Sequence, residues 1–252
     1  MEHSGKHALV TGGGTGIGRA IAYALADAGA EVTISGRRED VLAEAAEGRT
    51  NIHPLVMDVA DESSVREGVQ AAVSASGPVS ICVANAGIAE GGAFEATTLA
   101  AWRKTLTINL DGAFLTLQAA LASLPTDIPG RYIVVSSIAG VRGLKNAIPY
   151  TVSKHGLIGL VRGLSEEFMH RPVTFNALCP GYVDTDIVQN QLPGLMRRFD
   201  VDRETAENIM AKGNRHKTLL EVDEIAGAAL WLCSDAARSV NGQTVEISGG
   251  QV

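Results

Sequence analysis

The sequence predicts an α/β fold, a doubly wound parallel sheet with helices on both faces, in a single domain. Strand-sized apolar runs alternate with longer segments of helical period along the chain, and runs such as "YIVVSS" are apolar on both faces. A strand of that kind belongs inside a parallel sheet covered on both sides by helices. Repeated βα units build such a sheet. The third observation is a glycine turn joining the first strand to the first helix, "ALVTGGGTGIGRAIAYALADAGA".

The strands read "HALVT", "EVTIS", "IHPLVMDV", "VSICVANAG", "RYIVVSS", "VTFNALCPG" and "GQTVEIS" in chain order. Helical periods run between them over Arg19–Ala28, Val41–Ala46, Ser63–Ser76, Ala100–Leu124, Tyr150–Met169 and Val222–Leu232. No linker, repeat or low-complexity tract interrupts residues 1–252, so one domain is expected. One segment, residues 186–220, breaks the alternation with two weakly amphipathic pieces, "VQNQLPGLMRRF" and "RETAENIMAK". It follows the C-terminal end of a strand, where α/β sheets bind their ligands, and is expected to be a substrate lid. Trp102 and Trp231 lie in apolar helical patterns and are expected in the core.

Composition excludes several classes. The 252 residues are 46% hydrophobic and 19% charged, which is too apolar for a disordered chain. A net charge of −7 leaves no basic stripe for nucleic acid. The longest apolar runs are strand-sized, and the start, "MEHSGKHALV", lacks a signal-peptide core, so a soluble cytoplasmic protein with no membrane partner is expected. Cys82, Cys179 and Cys233 stand far apart in apolar surroundings and form neither a metal motif nor a disulfide framework. They are expected as buried free thiols, and no metal site is expected.

In the glycine turn, Gly12, Gly16 and Gly18 allow backbone N–H groups to approach a diphosphate, and the helix beginning near Ile17 adds its positive end. A glycine motif between a first strand and a first helix is the context of a dinucleotide site. The end of the second strand selects the dinucleotide. An acidic residue there would hold the ribose 2′-hydroxyl of NAD. The chain has "ISGRRED" instead, with Gly36 leaving room for a 2′-phosphate and Arg37 and Arg38 able to bind it. NADP(H) is favoured and NAD(H) stays open, because Glu39 and Asp40 follow at once, although beyond the strand.

Tyr150 and Lys154 are spaced i, i+4 on one helix face. A free phenol with a pKa of about 10 is a poor base, and a lysine ammonium beside it would favour the phenolate. Ser136 and Ser137 end a strand thirteen residues before Tyr150, where a hydroxyl meets the ligand crevice. "NAG" (85–87) closes an earlier strand, and Asn109 lies within a helix.

Together these motifs resemble the short, single-domain branch of the short-chain dehydrogenase/reductase family. The resemblance spans nearly the whole chain: "TGGGTGIG" (11–18), "DV" (58–59), "NAG" (85–87), Asn109, Ser137, "YTVSK" (150–154) and "PGYVDT" (180–185). It implies a Rossmann-type fold, a homotetramer and a catalytic tetrad of Asn109, Ser137, Tyr150 and Lys154. It also implies cofactor contacts from Thr15, Asp58, Val59, Asn85, Ala86, Gly87, Pro180, Gly181, Val183 and Thr185, with Asp58 at the adenine and Thr185 at the nicotinamide. In that reading Tyr150 moves the proton, Ser137 polarises the substrate oxygen, Lys154 tunes Tyr150 and binds the ribose, and Asn109 fixes a water. The expected reaction is hydride transfer between NADP(H) and a secondary alcohol or ketone, such as a 3-hydroxyacyl or 3-oxoacyl thioester or a small ketone.

An NAD-dependent 3-hydroxyacid or hydroxyacyl-CoA dehydrogenase is the alternative, opposed by Gly36–Arg37. A sugar epimerase would need a larger C-terminal domain, and a non-catalytic nucleotide sensor would not need the whole tetrad. Asp184 and Asp186 read as turn or cap residues, and His155, off the Lys154 face, as structural or solvated. Arg197, Arg198, Lys212, Arg215, His216 and Lys217 read as a solvated surface near Asp202, Glu204 and Glu207, with an anionic substrate tail as the sharper hypothesis. Arg142 and Lys145 offer a small carboxylate an alternative site.

Overall fold

The computed structural model describes residues 2–250. Its first half holds β1 (His7–Thr11), α1 (Gly16–Asp27), β2 (Glu31–Gly36), α2 (Glu39–Ala46), β3 (Ile52–Val56) and α3 (Glu62–Ser76). The second half holds β4 (Val79–Ala84), α4 (Leu99–Leu106), α5 (Gly112–Ser123), β5 (Gly130–Val135), α6 (Ile148–Glu167), β6 (Val173–Pro180), α7 (Asp186–Gln189), α8 (Leu192–Phe199), α9 (Arg203–Ala211), α10 (Val222–Cys233) and β7 (Thr244–Ile247).

All pairings are parallel, in the order β3-β2-β1-β4-β5-β6-β7. Four of the five inner strands, β1, β4, β5 and β6, are buried at every residue, and β2 is buried except at its two ends, whereas β3 and β7, at the edges, are partly exposed. Successive side chains of a strand point to opposite faces. Ala8, Val10, Ile81, Val83, Ile133 and Val135 thus join the core under α1 and α10. Leu9, Cys82, Ala84, Tyr132 and Val134 join the opposite core, with α3, α5 and α6. All three cysteines are buried free thiols, as the apolar surroundings imply.

After β3 the chain returns to place β4 on the other side of β1, so the strand order reverses there. A crevice opens at the carboxyl ends of strands at such a switch point. No helix among the described residues is long and apolar enough to cross a membrane.

Three expectations need correction. The run Ala100–Leu124 is not one regular helix: a π-turn over Thr107–Asp111 separates α4 from α5 and contains Asn109. Such bulges are frequent at functional sites because they re-aim a side chain. Trp231 is not core but 45% exposed on α10, since its outward face has no element packed over it among the described residues. The run "IHPLVMDV" is also longer than the strand it forms, since β3 ends at Val56 and "DV" (58–59) lies beyond it.

Candidate active site

Two adjoining hollows at the carboxyl ends of the strands share Gly87 and Ile88. The smaller, about 210 Å³, is lined by Gly12, Thr15, Gly36, Arg37, Arg38, Asp58, Val59, Ala86 and Gly87. The larger, about 700 Å³, is lined by Ile17, Asn85, Gly87, Ser137, Tyr150, Lys154, Pro180, Gly181, Val183 and Thr185. The fold therefore brings residues from seven separate stretches to one groove.

Gly12 has φ +63, and a Cβ there would lie 2.9 Å from the Asn85 amide nitrogen, so only glycine fits. Asn85 fixes this turn: its Nδ2 donates to the Thr11 carbonyl at 2.9 Å and to the Gly12 carbonyl at 3.3 Å. The Thr11 hydroxyl accepts in return from the backbone N–H of Asn85 (3.0 Å) and Ala86 (3.1 Å). Thr15 caps α1 without a side-chain hydrogen bond, which leaves the helix's first N–H groups to be met by something else. Gly18 packs against the Gly12 carbonyl with no room for a Cβ. This set suits a dinucleotide diphosphate: uncapped amides, close backbone approach and a positive helix end.

At the end of β2, Arg37 and Arg38 are exposed, and Glu39 and Asp40 lie in the first turn of α2, off the strand as expected. A Cβ on Gly36 would only touch Leu42 at 3.6 Å, so the protein's own packing does not demand glycine there. The open space above it faces the smaller hollow. Asp58 is half-buried on that wall, and its Oδ1 accepts from the Ala60 N–H at 3.0 Å.

The larger hollow is backed by a buried polar network. Lys154 Nζ donates to the Val135 carbonyl at 2.8 Å. The Ser136 hydroxyl donates to the Lys154 carbonyl at 3.0 Å, which pins α6 to the end of β5. Ser137 lines the groove beside Tyr150, and its hydroxyl accepts from the Ala139 N–H at 3.1 Å. Asn109 clamps the loop after β4, accepting from the Ile88 N–H at 2.8 Å and donating to the Ile88 carbonyl at 2.9 Å. Its remaining amide hydrogen goes to Ser153 at 3.0 Å. Ser153 donates in turn to the Tyr150 carbonyl at 2.7 Å.

The electrostatics differ from the sequence expectation. Burial pushes the Tyr150 phenol above its ordinary value, opposed by the hydrogen bond from Ser137. Lys154 does not make it a phenolate here: its Nζ is engaged by Val135 and stands 5.6 Å from the ring centroid. Burial instead pulls the lysine's own pKa down to about 8. The site thus holds a protonated phenol and, close by, an ammonium that gives up its proton near pH 8, well below the ordinary lysine value.

The 186–220 segment folds as α7, α8 and α9 around a small core of Val188, Leu192, Ala206 and Met210. Ile187, Val188, Gln191, Leu195, Arg198 and Met210 line the larger hollow opposite Ser137 and Tyr150. Of the cations singled out in that stretch, only Arg198 lines the hollow. Lys145 does so from the opposite loop, whereas Arg142 donates to the Gly213 carbonyl at 3.3 Å. Asp184 accepts from Gln189, Asp186 opens α7, and His155 is exposed with its ring on the Thr151 carbonyl. No group of residues suited to a metal ion occurs among the described residues.

Three site residues were given no role in the sequence reading, and Ser136, read there only as a strand-end hydroxyl, holds the Lys154 carbonyl. Thr11 opens the glycine motif and accepts from the backbone of the loop after β4. Ser153 lies inside "YTVSK", three positions after Tyr150 on the same helix face, so its spacing was a usable signal. Asn214 gave none: it is buried and binds Tyr182 N–H and carbonyl, both at 2.8 Å, from 32 residues away.

This fold and site define an oxidoreductase acting on CH–OH or keto groups. The family model described as enoyl-(acyl carrier protein) reductase matches residues 12–251, and the chain belongs to the short-chain dehydrogenase/reductase family. It is 32% identical to the 3-oxoacyl-(acyl-carrier-protein) reductase FabG of Aquifex aeolicus, over 99% of this chain and 98% of that one. It is also 32% identical to the acetoacetyl-CoA reductase of Shinella zoogloeoides, over 97% of both. Among solved structures, a variant of the actinorhodin polyketide ketoreductase with NADPH superposes with a TM-score of 0.91 at 28% identity, covering 97% of this chain and 96% of that one.

Proposed function

We propose that this protein is an NADPH-dependent ketone reductase whose substrate is a 3-oxoacyl thioester. The observation that carries the reading is the meeting of Ser137, Tyr150 and Lys154 at the wall of the larger hollow, which adjoins the hollow of the glycine turn. A phenol held protonated by burial is prepared to give a proton to a developing alkoxide, which is the reductive direction. Ser137 donates a hydrogen bond to the same substrate oxygen, stabilising charge where it develops. Lys154, with a pKa of about 8, returns a proton to Tyr150 near neutral pH, with the water expected beside Asn109 as the outlet. Asn109 and Ser153 keep Tyr150 and the Ile88 loop in register.

The nicotinamide, when bound, exchanges the hydride with the substrate carbon. Gly12, Thr15, Gly16, Ile17 and Gly18 would hold its diphosphate. Asp58 and Val59 would hold the adenine, and Arg37 and Arg38 the 2′-phosphate. Asn85, Ala86, Gly87 and Lys154 would meet the ribose side, and Pro180, Gly181, Val183 and Thr185 the carboxamide. The 186–220 segment acts as a lid over the substrate. The NADPH held by the actinorhodin ketoreductase, and the names of the two relatives, support cofactor and substrate class. A cytoplasmic homotetramer belongs to the same proposal, supported by the exposed Phe114, Val152 and Trp231 on three helices.

Paired fluorescence titrations of NADPH and NADH on wild type and Arg37→Ala test this reading. NADPH binds the more tightly, and the variant weakens it roughly tenfold while leaving NADH unmoved. Equal or tighter NADH binding, indifferent to Arg37, would favour the NAD-dependent hydroxyacyl oxidation instead.

A further inference from the structure

The amino ends of the strands, opposite the two hollows, carry a second buried polar cluster. Residues 2–6 form a turn that closes against it. The His3 N–H donates to the Ala28 carbonyl after α1, and the Lys6 N–H donates to the His3 carbonyl, each at 3.0 Å. The Glu31 N–H, at the start of β2, donates to the Lys6 carbonyl, also at 3.0 Å. Within the turn the His3 side chain is fully buried, whereas its neighbours Glu2 and Ser4 are exposed. One inward imidazole and three backbone hydrogen bonds thus hold the turn shut.

The geometry fixes the charge that this imidazole can carry. Lys6 Nζ stands 3.3 Å from His3 Nδ1, and an ammonium has only hydrogens to give. The ring therefore accepts at Nδ1 and keeps its proton on Nε2, which meets no partner among the described residues. A second proton would sit on Nδ1, with one N–H pointed at another. The remaining charges around the ring do not relieve this. Arg131, near the start of β5, is buried and lies 3.7 Å from Asp235, beyond α10. Asp235 and Glu2, the two acids that act on the ring, are exposed, so water screens their attraction. Burial first, and Lys6 second, hold the His3 imidazole below its ordinary value of 6.5.

We infer that His3 and Lys6 make the turn of residues 2–6 an acid-released clasp on the amino end of the sheet. At neutral pH the uncharged imidazole fills its site, and the turn stays shut. As pH falls through the ordinary histidine range, the open turn takes up a proton that the closed turn refuses. The open form then binds more protons than the closed one, so closure is lost as pH falls and regained as it rises. The opening is local. It breaks the three backbone hydrogen bonds of the turn and leaves the pairing of the inner strands intact. The clasp lies at the far end of the sheet from the two hollows and does not depend on the reaction proposed there.

The test is amide hydrogen exchange of the intact protein from about pH 8 to about pH 5, resolved to single residues and corrected for the intrinsic rate at each pH. In wild type, protection of the Lys6 and Glu31 amides falls roughly tenfold between about pH 7 and about pH 5, while the β4 amides keep theirs. His3→Leu cannot titrate and shows no such fall. Lys6→Met removes the ammonium that faces Nδ1, so its fall shrinks to roughly threefold or less. A merely structural role would lower protection by the same factor at every pH. Should His3→Leu open the turn at all pH values, the slope in Lys6→Met decides. Wild-type protection that is flat with pH, or a fall that persists undiminished in Lys6→Met, overturns the clasp. Equal loss in β4 also overturns it, because the acid sensitivity would then belong to the whole fold.

Discussion

The two walls of the substrate cleft are built on different principles. The wall of β5 and α6 is a chain of buried polar contacts: Val135 to Lys154, Lys154 to Ser136, Tyr150 to Ser153, Ser153 to Asn109, and Asn109 to Ile88. The facing wall, α7 to α9, rests on four buried side chains and on exposed links such as Gln189 to Asp184 and Glu207. Buried hydrogen bonds are costly to leave unmade, so the first wall fixes geometry. Exposed polar links are worth little, so the second wall can move and vary at small cost. On the proposed function, the contrast places the chemistry on the rigid wall and leaves substrate fit to the deformable one.

The sharpest attack on the rigid wall is Tyr150→Phe. It removes the proton donor and little else, so kcat for ketone reduction should fall by roughly a thousandfold while NADPH titrates as before. A loss below tenfold would move the general acid to another group. Asn109→Ala should come next. It strands the Ile88 backbone and Ser153 in a buried site, costing about 2–4 kcal/mol and lowering Tm by roughly 5–10 °C in a melting experiment.

The lysine gives the pH signature of the same wall. The folded pKa of about 8 lies below the free value of 10.5, so the unfolded chain binds more protons between those values. Lys154 therefore destabilises the fold below about 8, and that penalty fades as pH rises through the window. The Tm of wild type minus that of Lys154→Met should climb by a few degrees between pH 8 and 10.5. A flat difference would mean that the ammonium is not held in a desolvated site.

The smallest effect on global stability is expected on the deformable wall. Asn214→Ala frees the Tyr182 backbone and the Thr218 carbonyl that anchor the segment's two ends. Limited proteolysis should then cut within residues 186–220 well before the rest of the chain, with Tm lowered by only about 1–3 °C. Simultaneous loss of both regions would make the segment an integral part of the core.

The motif residues were legible because their chemistry is local. Glycines in a strand–turn–helix, a tyrosine and lysine one turn apart and a hydroxyl at a strand end each identify themselves within a few positions. The alternation of βα units likewise encodes the sheet, since side-chain periodicity follows directly from backbone geometry. The exact strand ends and the π-turn around Asn109 were less legible, because a single extra residue in a helical turn changes no hydrophobic pattern that a sequence displays. Trp231 misled for a related reason: an apolar helical position says which face could be buried, not whether anything covers it.

The sequence by itself determined the fold class, the dinucleotide turn and the serine–tyrosine–lysine constellation. Only the tertiary structure decided the state of that constellation. Burial sets the protonation of Tyr150 and Lys154, and burial is a property of the assembled walls rather than of any residue. It also decided which of many surface cations line the cleft. Arg198 and Lys145 are 53 positions apart in the chain and meet one hollow only because α8 folds back over the carboxyl ends of the strands.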